Sequence, residues 1–227
     1  YFGSYSHSNE LNYTTLRNCG NNALGAVPAA VQLAPDLLID PNPYQLVMRN
    51  CTIENSIGYG VLSFQGTLRM ENCLVNTCGA HALALIQGGN YDILNSTFAL
   101  YSTTASNGRT KIEHLQEPAV AILNYFDRGD GTYLASDLHA RLTNCIIWGG
   151  LDDELYIDKV DAYAQNVTLE HCLVKAKEAI PSYVTNINTK INQDPLFVNT
   201  GALNFRVQPG SPAIDGGVMP STAIADD

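Results

Sequence analysis

The chain has 227 residues, with twelve Lys and Arg against twenty-two Asp and Glu, so its net charge of −10 repels nucleic acid and anionic lipid and sets aside nucleic acid as a partner. A hydrophobic content of 45% is enough for a buried core, and no run of about 18 apolar residues is present to span a bilayer. Six cysteines would suggest disulfides in a secreted chain, but the pattern they fall in points elsewhere.

Residues 1–12, YFGSYSHSNELN, show neither helical periodicity nor a signal-like run, so the chain reads as a mature or truncated product. From Tyr13 a repeat begins. YTTLRNCGNN from Tyr13, QLVMRNCTIEN from Gln45, TLRMENCLVNT from Thr67, NYDILNSTFAL from Asn90, HARLTNCIIWG from His139 and NVTLEHCLVKA from Asn166 align without gaps. Each holds a polar pivot followed by a small residue: Asn18, Asn50, Asn72, Asn95, Asn144 and His171. Apolar residues stand two before the pivot (Leu16, Met48, Met70, Ile93, Leu142, Leu169), with polar ones such as Arg49 and Glu71 between. That alternation is the period-2 signature of a half-buried strand. After the pivot the apolar phase slips by one, which predicts a bend, and Asn accepts the left-handed backbone that a bend needs. The pivots are therefore expected to stack as an asparagine ladder.

A third strand is predicted around Val61, Leu83 and Leu155, at a constant offset from their pivots, and around Val31 and Val120. Three short strands per turn of about 22 residues specify an all-β parallel β-helix solenoid of about six coils over residues 1–193. Cys19, Cys51, Cys73, Cys145 and Cys172, with Ser96, fall in one column and are expected to be buried free thiols. A column along an axis does not converge on a zinc ion.

These L-x-x-N-C-x-[IV] coils resemble the right-handed parallel β-helix repeat proteins of bacterial surfaces, the pectate-lyase-like superfamily. The closing segment DPLFVNTGALNFRVQPGSPAIDGG, Asp194 to Gly217, is similar to the segment that ends many secreted β-helix proteins of Bacteroidota. It is expected to act as a cap in which Leu196, Phe197, Phe205 and Ile214 cover the last core layer, leaving 218–227 as a tail. The resemblance implies a secreted or cell-surface location. It also implies a cap at the start of the solenoid; residues 1–12 do not supply one, so preceding coils or a partner subunit are expected to cover that end.

The fourth coil is interrupted twice, at about 101–117 and 125–139, on either side of PAVAILNY. Long insertions in a regular solenoid tend to lie on its functional face, so the two are expected to wall one cleft. Arg109, Lys111, His114 and Glu117 stand on one side, with Asp127, Arg128, Asp130, Asp137 and His139 on the other. Lys111 or His114 with Arg128 would suit a polyuronate lyase, and Glu117 with Asp127 would suit a glycosidase. Binding is assigned to Phe64, Glu154 and Tyr156 on the outward side of the third strand, with Asn124 and Tyr125 in PAVAILNY. In DRGDG, Asp127 and Asp130 are the nominal Ca²⁺ ligands, but the alternating acidic positions of an EF-hand are missing, and no cofactor is expected. The expectation is a non-catalytic protein that binds a polysaccharide or a surface protein, within an outer-membrane assembly. The alternative is a polysaccharide lyase or glycoside hydrolase in that cleft.

Overall fold

The computed structural model describes residues 1–20, 28–37, 43–103, 112, 114 and 116–219. Its backbone winds as a parallel β-helix with three sheets. The first holds Asn9–Asn12, Leu46–Arg49, Thr67–Glu71, Gly89–Leu94, Leu138–Thr143, Gln165–Glu170 and Thr185–Ile187. The second holds Thr15–Arg17, Thr52–Ser56, Leu74–Cys78, Thr97–Leu100, Ile146–Gly149, Leu173–Val174 and Lys190–Ile191. The third holds Ala29–Leu33, Tyr59–Phe64, Leu83–Ile86, Val120–Leu123 and Leu155–Asp158. All three are parallel throughout, because each coil stacks on the one before it in the same direction.

The register follows the sequence pattern. Met48, Met70, Ile93, Leu142 and Leu169 stand in one column of the first sheet, and Val31, Val61, Leu83, Val120 and Leu155 in one column of the third. Both columns point into a single core. The pivots Asn50, Asn72, Asn95, Asn144 and His171 all have φ between 48° and 55°, the left-handed conformation that Asn accepts at low cost. The Asn72 amide donates to Asn50 Oδ1 at 2.7 Å and that of Asn144 to Asn95 Oδ1 at 2.9 Å. All six cysteines are free. Cys51, Cys73, Cys145 and Cys172 each direct the thiol to a carbonyl two residues back and to one in the preceding coil. Ser96 takes the same place, its hydroxyl donating to the Leu94 carbonyl and accepting from the Cys73 amide.

The first coil departs from the predicted alignment. Leu11, not Leu16, stands beside Met48, and Leu16 stands beside Ile53 in the second sheet. The pivot of that coil is Tyr13, at φ 50°. Asn18 lies one turn further on, where it accepts a hydrogen bond from Asn55. Cys19 consequently follows the second turn and leaves the main cysteine column. The local motif LRNCG matched the repeat, but pairing to the next coil, not the motif, fixes the register.

The closing segment also lies differently. Phe197–Asn199 and Asn204–Val207 form an antiparallel hairpin around a 3-10 turn at Thr200–Ala202. Phe197 and Phe205 pack on Ala99, Trp148 and Leu173, the outward residues of the second sheet, while Phe98, Ile147 and Val174 face the core. Leu196 and Ile214 stay exposed. The segment is therefore a strap along the side of the solenoid. Its far end is fastened where Asn144 Nδ2 donates to the Val218 carbonyl, Val218 N donates to Asn144 Oδ1, and His171 Nδ1 donates to the Gly216 carbonyl. Ala176, Ile180 and Val184 close the core below the last full coil. At the other end Phe2 bridges to the edge of the third sheet through Gln32 and Ala34 and packs with Leu11, Leu16 and Ala30, all only partly buried.

Candidate functional site

Each interruption of the fourth coil is fastened to the solenoid by a different device. The first returns to the fold through Ile112, which is buried, and His114. Ile112 and Thr103 exchange hydrogen bonds, and the His114 amide donates to Ser102 Oγ. The His114 ring then turns inward. Its Nε2 lies 3.1 and 3.2 Å from the two carboxylate oxygens of Glu154, which is fully enclosed. The same carboxylate accepts Leu151 N at 2.8 Å and Ala119 N at 2.9 Å. A Cβ on Gly149 would come within 2.2 Å of Glu154 Oε1, so only glycine leaves room for this carboxylate. One coil before, His81 Nδ1 donates to the Pro118 carbonyl at 2.6 Å and Nε2 faces Glu117 at 3.3 Å. Burial holds the His81 ring below its ordinary pKa, against the opposing pull of Pro118 and Glu117.

The second interruption is a β-hairpin, Tyr125–Asp127 paired with Tyr133–Ala135. Asn124, fully buried at its base, donates to the Val160 and Tyr163 carbonyls and accepts Val160 N. This joins the hairpin to the corresponding turn of the next coil. Phe126 leans back onto Phe64, ring edge to face at 5.6 Å. On the hairpin's other side, Tyr125 meets Tyr133 at 5.1 Å and donates its hydroxyl to Asp158 Oδ2 at 2.7 Å. Tyr156, in the next coil, donates to the same oxygen at 3.3 Å. Tyr183 adds a further ring, its hydroxyl on the Ile157 carbonyl and Lys159 Nζ 5.0 Å above its face. Burial and the Asp158 charge raise the pKa values of Tyr125, Tyr156 and Tyr183, so these hydroxyls stay protonated donors at neutral pH.

The predicted residues thus divide. Tyr125 and Tyr156 come together. Phe64 supports the hairpin, and Asn124 is wholly used as a clamp. Glu154, expected to face outward, is sealed inside. His114 stands at the start of strand Val120–Leu123 and faces the interior, with Glu117 beside it on His81. Asp127 and Arg128 lie beyond the other end of that strand at the exposed hairpin tip. Asp127 Oδ1 accepts Gly129 N, and Asp130 Oδ1 accepts the amide and hydroxyl of Thr132; both carboxylates thereby order their own turn. Lys111 and Arg109 lie outside the described residues. Among the described residues no three His, Cys, Asp or Glu side chains converge as a metal site, and no helix is long and apolar enough to cross a membrane.

Sequence reasoning missed Tyr133, Tyr183 and the part played by Asp158. The available signal was the concentration of tyrosines at 125, 133, 156, 163 and 183, in segments that successive coils stack side by side. Tyr133 and Tyr156 are 51% and 47% exposed and Tyr183 37%, so ring faces are presented to solvent while Asp158 holds two of the hydroxyls. Such rings offer rigid amphipathic area at small entropic cost. The flanking charge is mostly acidic, and the Lys159 ammonium pairs with Asp161 at 2.8 Å.

No curated protein and no solved structure matched the chain. The family model described as right handed beta helix region matches residues 42–205, a span that contains the coils after the first, the hairpin and the first part of the strap. On that match and on the three stacked parallel sheets, the chain belongs to the right-handed β-helix family.

Proposed function

We propose that this is a non-catalytic carbohydrate-binding β-helix, working in secreted form or at a bacterial cell surface, whose ligand lies on the tyrosine cluster between the hairpin and strand Leu155–Asp158. The observation that carries this reading is the set of exposed rings of Tyr133, Tyr156 and Tyr183 around Asp158. The C–H face of a pyranose can stack on such rings, while Asp158 and the free lone pairs of the tyrosine hydroxyls receive its hydroxyl groups. The lyase and hydrolase alternative has less support, because the groups it needs, His114, Glu117, Asp127 and Arg128, face different partners at opposite ends of one strand.

Affinity electrophoresis and calorimetry against a panel of neutral and acidic soluble polysaccharides test the proposal. Retarded migration in at least one polysaccharide is expected, without chain cleavage. Tyr156→Ala combined with Tyr133→Ala should weaken binding about 30-fold, the loss of about 2 kcal/mol typical of removing aromatic anchors. Unchanged binding by the double variant overturns the site. Release of unsaturated uronides or new reducing ends by the wild-type protein overturns the non-catalytic reading.

A further inference from the structure

Past a turn at 212–215, the strap runs along the pivot ladder and meets one rung for every two residues. His171 Nδ1 donates to the Gly216 carbonyl at 3.0 Å. Asn144 holds Val218 through both ends of its amide, Nδ2 donating to the carbonyl and Oδ1 accepting the N–H, each at 2.8 Å. Between these rungs, a Cβ on Gly217 would lie 3.1 Å from Asn144 Oδ1, so the backbone passes close against that side chain. An extended strand turns the N–H and C=O of every second residue to the same side, which accounts for the two-residue step.

His171 and Asn144 belong to consecutive coils, and Asn95, Asn72 and Asn50 continue the series. The strap is therefore climbing the ladder toward Asn95. Beyond Asn144 lies a groove of about 430 Å³, with Asn95, Asn72 and Asn50 on one side and Leu203, Asn204, Phe205 and Arg206 of the strap hairpin on the other. A side-chain amide has two N–H groups and two lone pairs, so one rung can hold its neighbour and a peptide group together. Asn144 does this, its Nδ2 donating both to Asn95 Oδ1 and to the Val218 carbonyl. Arg206 is the one charged side chain among the described residues that line the groove.

We propose that this groove is a peptide-docking channel whose occupant is the chain's own segment 220–227, PSTAIADD. Continuing the two-residue step sets Pro220 at Asn95, Thr222 at Asn72 and Ile224 at Asn50. The length suffices: three rungs from Asn144 to Asn50 span about 14 Å, and the six steps from Val218 to Ile224 reach about 20 Å when extended, enough to slant across the ladder. Asn95 Oδ1 already accepts from Asn144, so that rung asks the peptide only for a carbonyl, and Pro220 has no N–H to offer. Asp226 and Asp227 carry charge opposite to that of Arg206 into the channel. Docked there, the segment extends the strap along the ladder, and the asparagine amides read polypeptide backbone. This inference is independent of the carbohydrate reading.

The test uses the whole chain, isotopically labelled for NMR. Nuclear Overhauser contacts are expected between Thr222 and the Asn72 side-chain amide and between Ile224 and that of Asn50. Backbone amide exchange at Thr222 and Ile224 should be slowed at least about 10-fold relative to the same peptide free in solution. Thr222→Pro deletes the N–H at the Asn72 rung and should speed exchange at Ile224 about fivefold, the worth of one hydrogen bond. Ser221→Pro deletes an N–H that faces away from the ladder and should leave Ile224 unchanged. Both substitutions lie in the docked segment, outside the coils, so the solenoid folds in either variant. Free-peptide exchange throughout 220–227 overturns the proposal, and so does equal sensitivity of Ile224 to the two variants. A mixture of ¹⁵N- and ¹³C-labelled chains identifies the owner of the segment: contacts found only between differently labelled chains overturn docking within one chain and assign the channel to a second copy.

Discussion

Substituting Glu154 by Gln probes how the first interruption is anchored, because it keeps the shape of the side chain and changes only its hydrogen-bonding sense. In the native protein both carboxylate oxygens accept: Oε1 from Leu151 N and Oε2 from Ala119 N, with His114 Nε2 facing both. A carboxamide has one acceptor oxygen and one NH₂ group. In either orientation one enclosed backbone N–H must then face another donor, and no water can relieve it, since Glu154 is wholly buried. An unsatisfied buried amide costs about 1–3 kcal/mol, and the weakened His114 contact adds to this, so the expected loss is about 2–3 kcal/mol. At about 2–4 °C per kcal/mol for a chain of this size, the melting temperature should fall about 4–12 °C. Amide exchange at Ala119 and Leu151 should accelerate about 30- to 150-fold, ahead of amides in the first sheet. His114→Ala should lower stability too, and its effect should be less than additive with that of Glu154→Gln. If Glu154→Gln melts within about 1 °C of wild type with unchanged exchange at Ala119 and Leu151, the carboxylate is not the anchor that the geometry makes it.

Trp148→Ala removes the ring on which Phe197 and Phe205 rest and should cost about 3–5 kcal/mol, concentrated in the strap; limited proteolysis should cut within residues 194–219 well before the coils. Asn144→Ala deletes the links to Asn95 and to Val218 and places a Cβ residue without a polar side chain at φ 55°, for an expected loss of about 2–3 kcal/mol seen in urea denaturation. Burial depresses the His81 pKa, so the unfolded chain binds the proton more readily than the folded one. Stability present above the unfolded value of about 6.5 is then lost as pH falls below it, and His81→Gln should flatten the urea midpoint across pH 7 to 5. The thiols should resist an aromatic disulfide reagent in the native state except for the half-buried Cys19, because the others are enclosed and burial pushes Cys78 up to about 12; all six should react in denaturant, and rapid native labelling of Cys51 or Cys145 would contradict the packed column.

The repeat was legible because a solenoid converts each spatial column into a sequence spacing. Met48 and Met70 face the core for the same reason that they sit two residues before a pivot, and the offset that predicted Val61, Leu83 and Leu155 is the length of one turn of backbone. The same logic fails wherever a coil loses or gains residues. Asn18-Cys19 copied the motif but sits one turn late, since Asn9–Asn12 already takes the place beside Leu46–Arg49 and Thr15–Arg17 the place beside Thr52–Glu54. In the strap, Phe197 and Phe205 were correctly read as apolar packing residues, but sequence pattern alone does not say which open face they cover. The outward Trp148, Ala99 and Leu173 decide that: they make a greasy stripe on the second sheet that only a returning segment can bury.

The site was less legible because its parts are joined by stacking and not by spacing. Tyr125 and Asp158 are 33 residues apart, and they meet because the turn after Val120–Leu123 and the turn after Leu155–Asp158 are the same turn in consecutive coils. Once that correspondence is known, Asn124 explains why a hairpin of this length stands there at all. Its three hydrogen bonds to Val160 and Tyr163 bind the hairpin base to a fixed rung, so the aromatic rings at its flank are held at the solenoid surface with little entropy left to lose on binding. Charged residues, which sequence reasoning favoured as the chemically interesting ones, are mostly consumed in that construction: Glu154 and His114 in the interior, Asp127 and Asp130 in ordering the turn. What the hairpin flank and the neighbouring strand leave exposed is aromatic in character, at Tyr133 and Tyr156.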